Sequence, residues 1–196
     1  RHEINCEEYT KEFGKALGKL VLSLNDDEEI EPIINVKSKQ INVPTENFVL
    51  ILARLLKVLN NDFIKNKTDA FVISETGYLV LGKKQVAMFL IPGELFPELY
   101  NGEFLNAQNS ANSCEANYTP LIKMTDIKNN FVVGLCNDEL GYIIPKNDFY
   151  LHEKTPYINS AKDRLDRNHY EETNSVGPRT AETILDTLSS IVVSGQ

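Results

Sequence analysis

The sequence predicts an α+β fold, a mixed sheet with helices packed on it. Apolar residues recur every three or four positions near both ends of the 196-residue chain, which is typical of amphipathic helices. Between them lie runs of β-branched and aromatic residues separated by glycine-containing turns, which is typical of strands. No internal repeat is apparent, and we treat residues 1–196 as one domain with no second one.

Three helices are predicted. The first covers residues 7–24. The second follows Pro44, with Thr45 as its N-cap, and the third follows Gly177-Pro178, with Thr180 as its N-cap. The residues expected to face the core are Tyr9, Phe13, Leu17, Leu20, Val21 and Leu24 in the first, Phe48, Leu52, Leu55, Leu56, Leu59 and Phe63 in the second, and Ala181, Ile184, Leu185, Leu188 and Ile191 in the third.

The strands are expected in the middle of the chain. Residues 33–43 form one or two short strands, and residues 70–94 form three, the last two joined by a hairpin at Gly82-Lys83-Lys84. A strand, a turn and a strand follow in 129–145. The polar segment 101–119 is predicted to be a loop, and a loop of that length in a compact domain is usually functional or disordered.

Charge and hydropathy exclude two classes of partner. The formal net charge is −8, and no cluster of Lys and Arg offers a surface for phosphates, so we expect no nucleic-acid partner. No apolar run reaches the roughly 18 residues of a membrane-spanning helix. With 42% hydrophobic and 24% charged residues, the composition is that of an ordinary globular protein.

Local patterns alone leave the chemistry undecided. The sequence lacks HExxH, GxSxG, P-loop and GxGxxG motifs. Each histidine, His2, His152 and His169, is more simply interpreted as a surface or hydrogen-bonded residue than as a catalytic one. Glu94 directly follows a strand and a Pro-Gly turn, which suits either a residue reaching the surface or a ligand held over a site.

Three short motifs occur in a defined order. Pro92-Gly93-Glu94 ends an apolar strand. Gly134-Leu135-Cys136-Asn137, with Tyr142-Ile143 behind it, begins about forty residues later. Tyr170-Glu171, followed by Gly177-Pro178 and Thr180, then leads into the last helix. In this order the motifs resemble the catalytic domain of neutral (alkaline, non-lysosomal) ceramidases, and the resemblance spans about residues 7–188.

The resemblance implies a zinc-dependent amidase that hydrolyses the N-acyl bond of ceramide or a similar lipid amide. In that family two His, one Glu and one Tyr hold the zinc. The Glu maps to Glu94 and the Tyr to Tyr142. Gly93, Asn137, Tyr170, Glu171, Gly177, Pro178 and Thr180 are the supporting motif residues.

The resemblance also implies partners and location. The family's two zinc-binding His and its catalytic residue lie upstream of the matched region. We therefore expect this chain to be the C-terminal half of a larger catalytic domain, inactive alone, with the N-terminal half and a lipid amide as its partners. Secretion or membrane association is expected on the same ground.

Two alternatives remain open. The chain can be a non-catalytic binding domain that retains the fold without the site, or a stand-alone interaction module. The amidase requires the side chains of Glu94 and Tyr142 to converge on one ion, whereas the interaction module places Glu94 in solvent.

Overall fold

The computed structural model describes residues 6–24 and 28–193 and confirms an α+β fold with a mixed sheet. The chain divides into two compact units, residues 1–31 and residues 32–196. The first contains α1 (Cys6–Leu22), an amphipathic helix in which every residue is exposed, including five of the six apolar residues predicted to face a core; the sixth, Leu24, lies beyond the helix and is exposed as well. No helix in the described ranges combines the length and hydropathy that crossing a bilayer requires.

The second unit is built on a five-stranded sheet. Its strands are β1 (Ile34–Pro44), β2 (Phe63–Lys65), β3 (Ala70–Leu81), β4 (Val86–Leu90) and β6 (Asn129–Val133). β1 pairs with β3 along its whole length, β3 continues into β4 through the predicted hairpin, and β4 pairs in parallel with β6. β2 pairs antiparallel with the start of β3.

The shorter elements lie beyond the sheet. Two further strand pairs form: a parallel pair of β5 (Glu94–Leu95) with β7 (Tyr142–Ile143), and an antiparallel pair of β8 (Ala161–Lys162) with β9 (Asn168–His169). The remaining elements are the helices α2 (Phe48–Leu55), α3 (Pro97–Asn101) and α4 (Thr180–Val193), and the 3-10 turns Leu121–Lys123, Lys146–Asp148 and Glu171–Asn174.

The core lies between the sheet and α4, which contacts β1 and β3. All five residues predicted to face inward from the last helix are buried, Ala181, Ile184 and Leu188 completely. Truncating a fully buried leucine such as Leu188 to alanine costs about 2–5 kcal/mol in proteins generally, so α4 is a principal source of this unit's stability.

The helix starts differ from the prediction. Asn47, not Thr45, caps α2: its Oδ1 accepts from the backbone N–H groups of Val49 and Leu50 at 3.0 and 3.3 Å. Thr45 is held two residues earlier by the sheet, where its hydroxyl accepts from the N–H of Val72 at 3.2 Å. Thr180 is the first residue of α4, and its hydroxyl donates to the carbonyl of Gly177 at 2.7 Å, so it is not the N-cap.

Two further expectations about the elements are wrong. The strands predicted at the two ends of 70–81 are one continuous strand, β3, because β1 pairs with it throughout. In α2 the predicted inward stripe is mostly exposed: Phe48, Leu52, Leu55 and Leu56 are each 45% or more exposed. Seven of the eight residues of this short helix are apolar, and Leu50 is the one that packs against the core, so periodicity alone could not choose its buried face.

Candidate functional site

Glu94 and Tyr142 lie opposite each other in the parallel pair of β5 and β7. The N–H of Glu94 donates to the carbonyl of Gly141 at 3.0 Å, and the N–H of Phe96 donates to that of Ile143 at 3.1 Å. One step earlier, the N–H of Leu140 donates to the carbonyl of Pro92 at 2.9 Å. Backbone hydrogen bonds therefore fix a carboxylate and a phenol, 48 residues apart in sequence, at the same level of two adjacent strand ends.

Two glycines permit this close pairing. A Cβ on Gly93 would lie 2.6 Å from the carbonyl oxygen of Gly141, which no real side chain accommodates. Gly141 itself has φ +77°, and a Cβ there would collide with the carbonyl of Asn174. The glycine of the Pro-Gly-Glu motif is thus needed for close packing against Gly141, directly before β7.

The Tyr142 ring lies between two other aromatic rings. It makes edge contacts with Phe96 and Tyr170, at centroid distances of 6.4 and 6.1 Å. A hydrogen bond with the Tyr170 hydroxyl and the negative charge of Glu94 raise the pKa of Tyr142 to about 12. In the metal-free chain Tyr142 is therefore a neutral phenol beside an exposed carboxylate.

This pair lines the rim of a largely apolar cavity of about 400 Å³. Leu50 and Arg54 of α2, with Leu59 and Phe63 behind them, form one wall, while Glu139 and Asn174 add polar groups. The apolar lining residues are Leu50, Leu59, Phe63, Val72, Leu140 and Val176. Such a cavity suits an apolar ligand group with a polar head at Glu94 and Tyr142.

The structure gathers some of the supporting motif residues and leaves others outside. Tyr170 and Glu171 lie beside Tyr142, and both act on its pKa. Asn137 is exposed in a turn with φ +73°, a left-handed conformation that asparagine adopts more readily than most residues. Asn137 therefore helps to change the direction of the chain between β6 and β7.

Gly177, Pro178 and Thr180 form the start of α4. The backbone carbonyl of Gly177 accepts from both the N–H and the hydroxyl of Thr180, at 3.2 and 2.7 Å, and Pro178 lies between them. A Cβ on Gly177 would lie 3.3 Å from the Cβ of Glu46, so glycine permits the α2 side of the cavity to approach. These residues shape the frame of the site.

A second polar cluster lies on the other side of Tyr170. We call Asp148, Asp163, Arg167, His169 and Glu172 the buried network. Arg167 donates to Asp163 at 2.6 Å and to Asp148 at 2.7 Å. His169 Nδ1 lies 2.8 Å from Glu172 Oε1, and its Nε2 lies 3.3 Å from Asp163 Oδ2. Glu172 Oε1 also accepts from the N–H of Tyr150 at 2.9 Å.

Hydrogen bonds outweigh burial in this network. Burial by itself favours neutral Asp163, but hydrogen bonds from the backbone and guanidinium of Arg167 hold the pKa of Asp163 well below its usual range. Burial likewise opposes charge on His169, yet hydrogen bonds to Glu172 and Asp163 leave the pKa of His169 raised above 6.5. Both shifts favour the charged forms, which stabilise one another.

The two clusters differ in their capacity to hold a metal ion. One ligand atom each from Asp148, Asp163 and His169 lie within 4.8 Å of one another. The guanidinium of Arg167 already donates to both carboxylates, so a cation there would have to displace it. By contrast, no basic side chain of the described ranges forms an ion pair with Glu94. The Glu94–Tyr142 pair therefore offers two oxygen donors of the kind that fit a divalent cation.

The histidines are accounted for locally. His169 is buried and hydrogen-bonded through both ring nitrogens, as the sequence interpretation anticipated. His152 Nδ1 accepts from the N–H of Thr155 at 3.1 Å within its own loop, and His2 lies outside the described residues. The rest of the buried network was not predicted from the sequence. Its charged residues are spread over a polar loop, and this is the pattern of a solvated segment.

Neither a scan against protein-family models nor a search of curated proteins finds a match to this chain. The resemblance to neutral ceramidases therefore remains a prediction from the three motifs.

Proposed function

We propose that this chain provides part of the active site of a zinc-dependent amidase that hydrolyses the N-acyl bond of ceramide or a similar lipid amide. One observation carries the proposal. Glu94 and Tyr142, taken from two separate motifs, face each other in β5 and β7, with Tyr170 and Glu171 of the third motif beside them. Adjacent strand ends give a ligand pair a rigid seat.

In this proposal the Glu94 carboxylate and the Tyr142 phenol are two of the zinc ligands, and two His from the N-terminal half complete the set. When bound, zinc supplies a Lewis acid that polarises the amide carbonyl and lowers the pKa of water to near neutrality. Tyr142 has to lose its proton to bind as a phenolate, and the Tyr170 hydroxyl is its hydrogen-bond partner beforehand.

The cavity supports an apolar substrate. Its lining is mainly aliphatic and aromatic, and its polar lining residues include Glu94 and Tyr142, which the scissile amide would meet. Burying one methylene of a substrate chain against such a lining contributes about 0.8 kcal/mol. An acyl chain is therefore the substrate group that the cavity suits best.

The test compares the intact protein that contains this chain with its Glu94→Ala variant. We expect zinc near one equivalent and amidase activity on a short-chain ceramide, both lost in Glu94→Ala. Glu153→Ala, which removes an exposed carboxylate in a different loop, is the matched control and should retain both. A metal-free protein, or one whose zinc and activity survive Glu94→Ala, would contradict the proposal.

A non-catalytic lipid-binding domain is the second candidate. Neither of the described histidines lines the cavity, so the described residues provide only two of the proposed ligands there. This candidate predicts that the intact protein binds a fluorescent ceramide analogue without zinc and releases no fatty acid. Its affinity would fall on Leu50→Asp and be unchanged by Glu94→Ala.

A further inference from the structure

Tyr170 is a member of the candidate site that burial alone does not hold in place. Its side chain is 47% exposed, and its ring contacts that of Tyr142 at a centroid distance of 6.1 Å and an angle of 84°. Burial therefore does not fix this side chain. Its position depends on the position of its own backbone, which the residues on both sides of Tyr170 fix.

The residues that flank Tyr170 belong to the buried network. His169, directly before it, is 6% exposed, and Glu172, two positions after it, is 1% exposed. Their side chains lie 2.8 Å apart, His169 Nδ1 to Glu172 Oε1, and so close a loop around Tyr170 and Glu171. Thr173 adds two bonds to the carbonyl of Tyr170, from its N–H at 3.1 Å and from its hydroxyl at 2.6 Å.

The network is itself anchored at a distance. Glu172 accepts from the backbone of Tyr150, and His169 reaches Asp163, which Arg167 connects to Asp148. Two separate stretches of the chain, residues 148–150 and 163–167, thus converge on the two residues that flank Tyr170. A charge network with this many mutual bonds has few alternative arrangements, so it transmits a defined position to the exposed tyrosine.

We propose that His169 and Glu172 are positioning residues, through which the buried network holds the Tyr170 ring against the ring of Tyr142. Its consequence for the metal rests on the proposed function: with Tyr170 in place, the Tyr142 ring keeps the position across from Glu94 that binding one ion requires. Supporting residues of this kind typically change metal affinity about 10- to 100-fold when removed.

Glu172 allows a clean pair of variants. Oε1 accepts both of its bonds, while Oε2 is buried with no partner among the described residues. Glu172→Gln therefore keeps the oxygen that both donors use, whereas Glu172→Ala removes it. His169→Phe is a second variant that preserves ring volume without hydrogen bonds. Lys162→Ala, which breaks an exposed ion pair on the neighbouring β8–β9 hairpin, is the control.

The experiment measures the nuclear Overhauser effect between the Tyr142 and Tyr170 rings in the chain labelled with ¹³C-tyrosine, without metal. We expect the cross-peak to fall at least about twofold in Glu172→Ala and in His169→Phe, and to remain in Glu172→Gln and Lys162→Ala. Zinc affinity of the intact protein should fall about tenfold in Glu172→Ala and recover in Glu172→Gln.

The two hypotheses fail separately. Cross-peaks of unchanged intensity in both Glu172→Ala and His169→Phe would overturn the positioning role, and so would a loss in Glu172→Gln equal to that in Glu172→Ala. An intact protein that binds no zinc would refute the proposed function, while the metal-free cross-peaks would still decide the positioning role. Should Glu172→Ala fail to fold, His169→Phe decides it alone.

Discussion

The Glu94–Tyr142 pair and the buried network both contain carboxylates and both adjoin Tyr170, yet they differ in what their polar atoms do. In the network, Asp163 accepts from two backbone N–H groups, from Arg167 and from His169. At the pair, the Glu94 carboxylate is exposed, and the phenol beside it stays protonated.

This difference distinguishes a group that can bind a ligand from a group that only stabilises the fold. A carboxylate with both oxygens engaged by several donors, as in Asp163, stabilises the fold but has no capacity left for a ligand. A carboxylate held by its backbone, with its oxygens free of any cation, retains that capacity. The network has the ligand spacing of a metal site, but Arg167 supplies its cation.

The largest expected effect comes from breaking the network. Asp163→Ala leaves the Arg167 guanidinium and the His169 ring without their shared partner. We expect the free energy of unfolding to fall by about 3 kcal/mol, as when one member of a buried ion pair is removed. Urea denaturation measures it. Lys162→Ala, on an exposed pair in the same hairpin, should cost no more than about 0.5 kcal/mol, and equal losses would contradict the contrast.

At the Glu94–Tyr142 pair we expect a substitution to change metal binding and to leave stability nearly unchanged. Tyr142→Phe keeps the ring contacts with Phe96 and Tyr170 and removes only the oxygen, so the melting temperature should hardly change. Zinc affinity of the intact protein should fall at least about a hundredfold, beyond what a supporting residue typically contributes. Tyr150→Phe is the matched control for both competition titration and thermal melting. Retained zinc affinity would remove Tyr142 from the ligand set.

An intermediate effect is expected at Asn47, which connects α2 to the turn after Tyr170. Its Nδ2 donates to the carbonyls of Ser175 and Thr173 at 2.9 and 3.2 Å, while its Oδ1 caps α2. Asn47→Ala should lower the free energy of unfolding by about 2 kcal/mol. Asn42→Ala, at an exposed position, is the control. Equal denaturant midpoints in the two variants would show that the connection through Asn47 contributes nothing to stability.

The smallest expected effect is a change with pH in the contribution of His169 to stability. The pKa of His169 is raised in the folded chain, with Glu172, Asp163, Asp148 and the Tyr150 ring around it. Its stabilising contribution is therefore fully present below the unfolded value of about 6.5 and is lost as pH rises through the higher folded value. The melting difference between wild type and His169→Phe should therefore shrink as pH rises above about 6.5. A difference that grows with pH would contradict the assignment.

Much of the frame could be predicted because local pattern and tertiary packing agree there. The apolar repeat in α4 identified its buried face, and Gly82-Lys83-Lys84 marked the hairpin between β3 and β4. Thr45 and Asn47 are both good N-caps by residue type, and only the sheet, in which Thr45 bonds to Val72, decides between them. The buried face of α2 could not be predicted for a similar reason, since seven of its eight residues are apolar.

The candidate site, too, could be predicted from the sequence only in part. The three motifs indicated Glu94, Tyr142, Tyr170 and Glu171, and the structure brings these four residues together; their roles stay predictions. The buried network could not be predicted, because Asp148 meets Arg167 across 19 residues of irregular chain. Pairing at that distance without regular secondary structure leaves no periodic signal.

The two-residue ladder between β5 and β7 also determines where the chain tolerates changes in length. Successive strand residues point to opposite faces, so one residue inserted between Gly93 and Glu94, or between Gly141 and Tyr142, would turn a carboxylate or a phenol away from its partner. Insertions in the exposed loop tip near Asn109, by contrast, would leave that ladder in register. Homologous proteins should therefore vary in loop length around position 109 while keeping these two dipeptides uninterrupted.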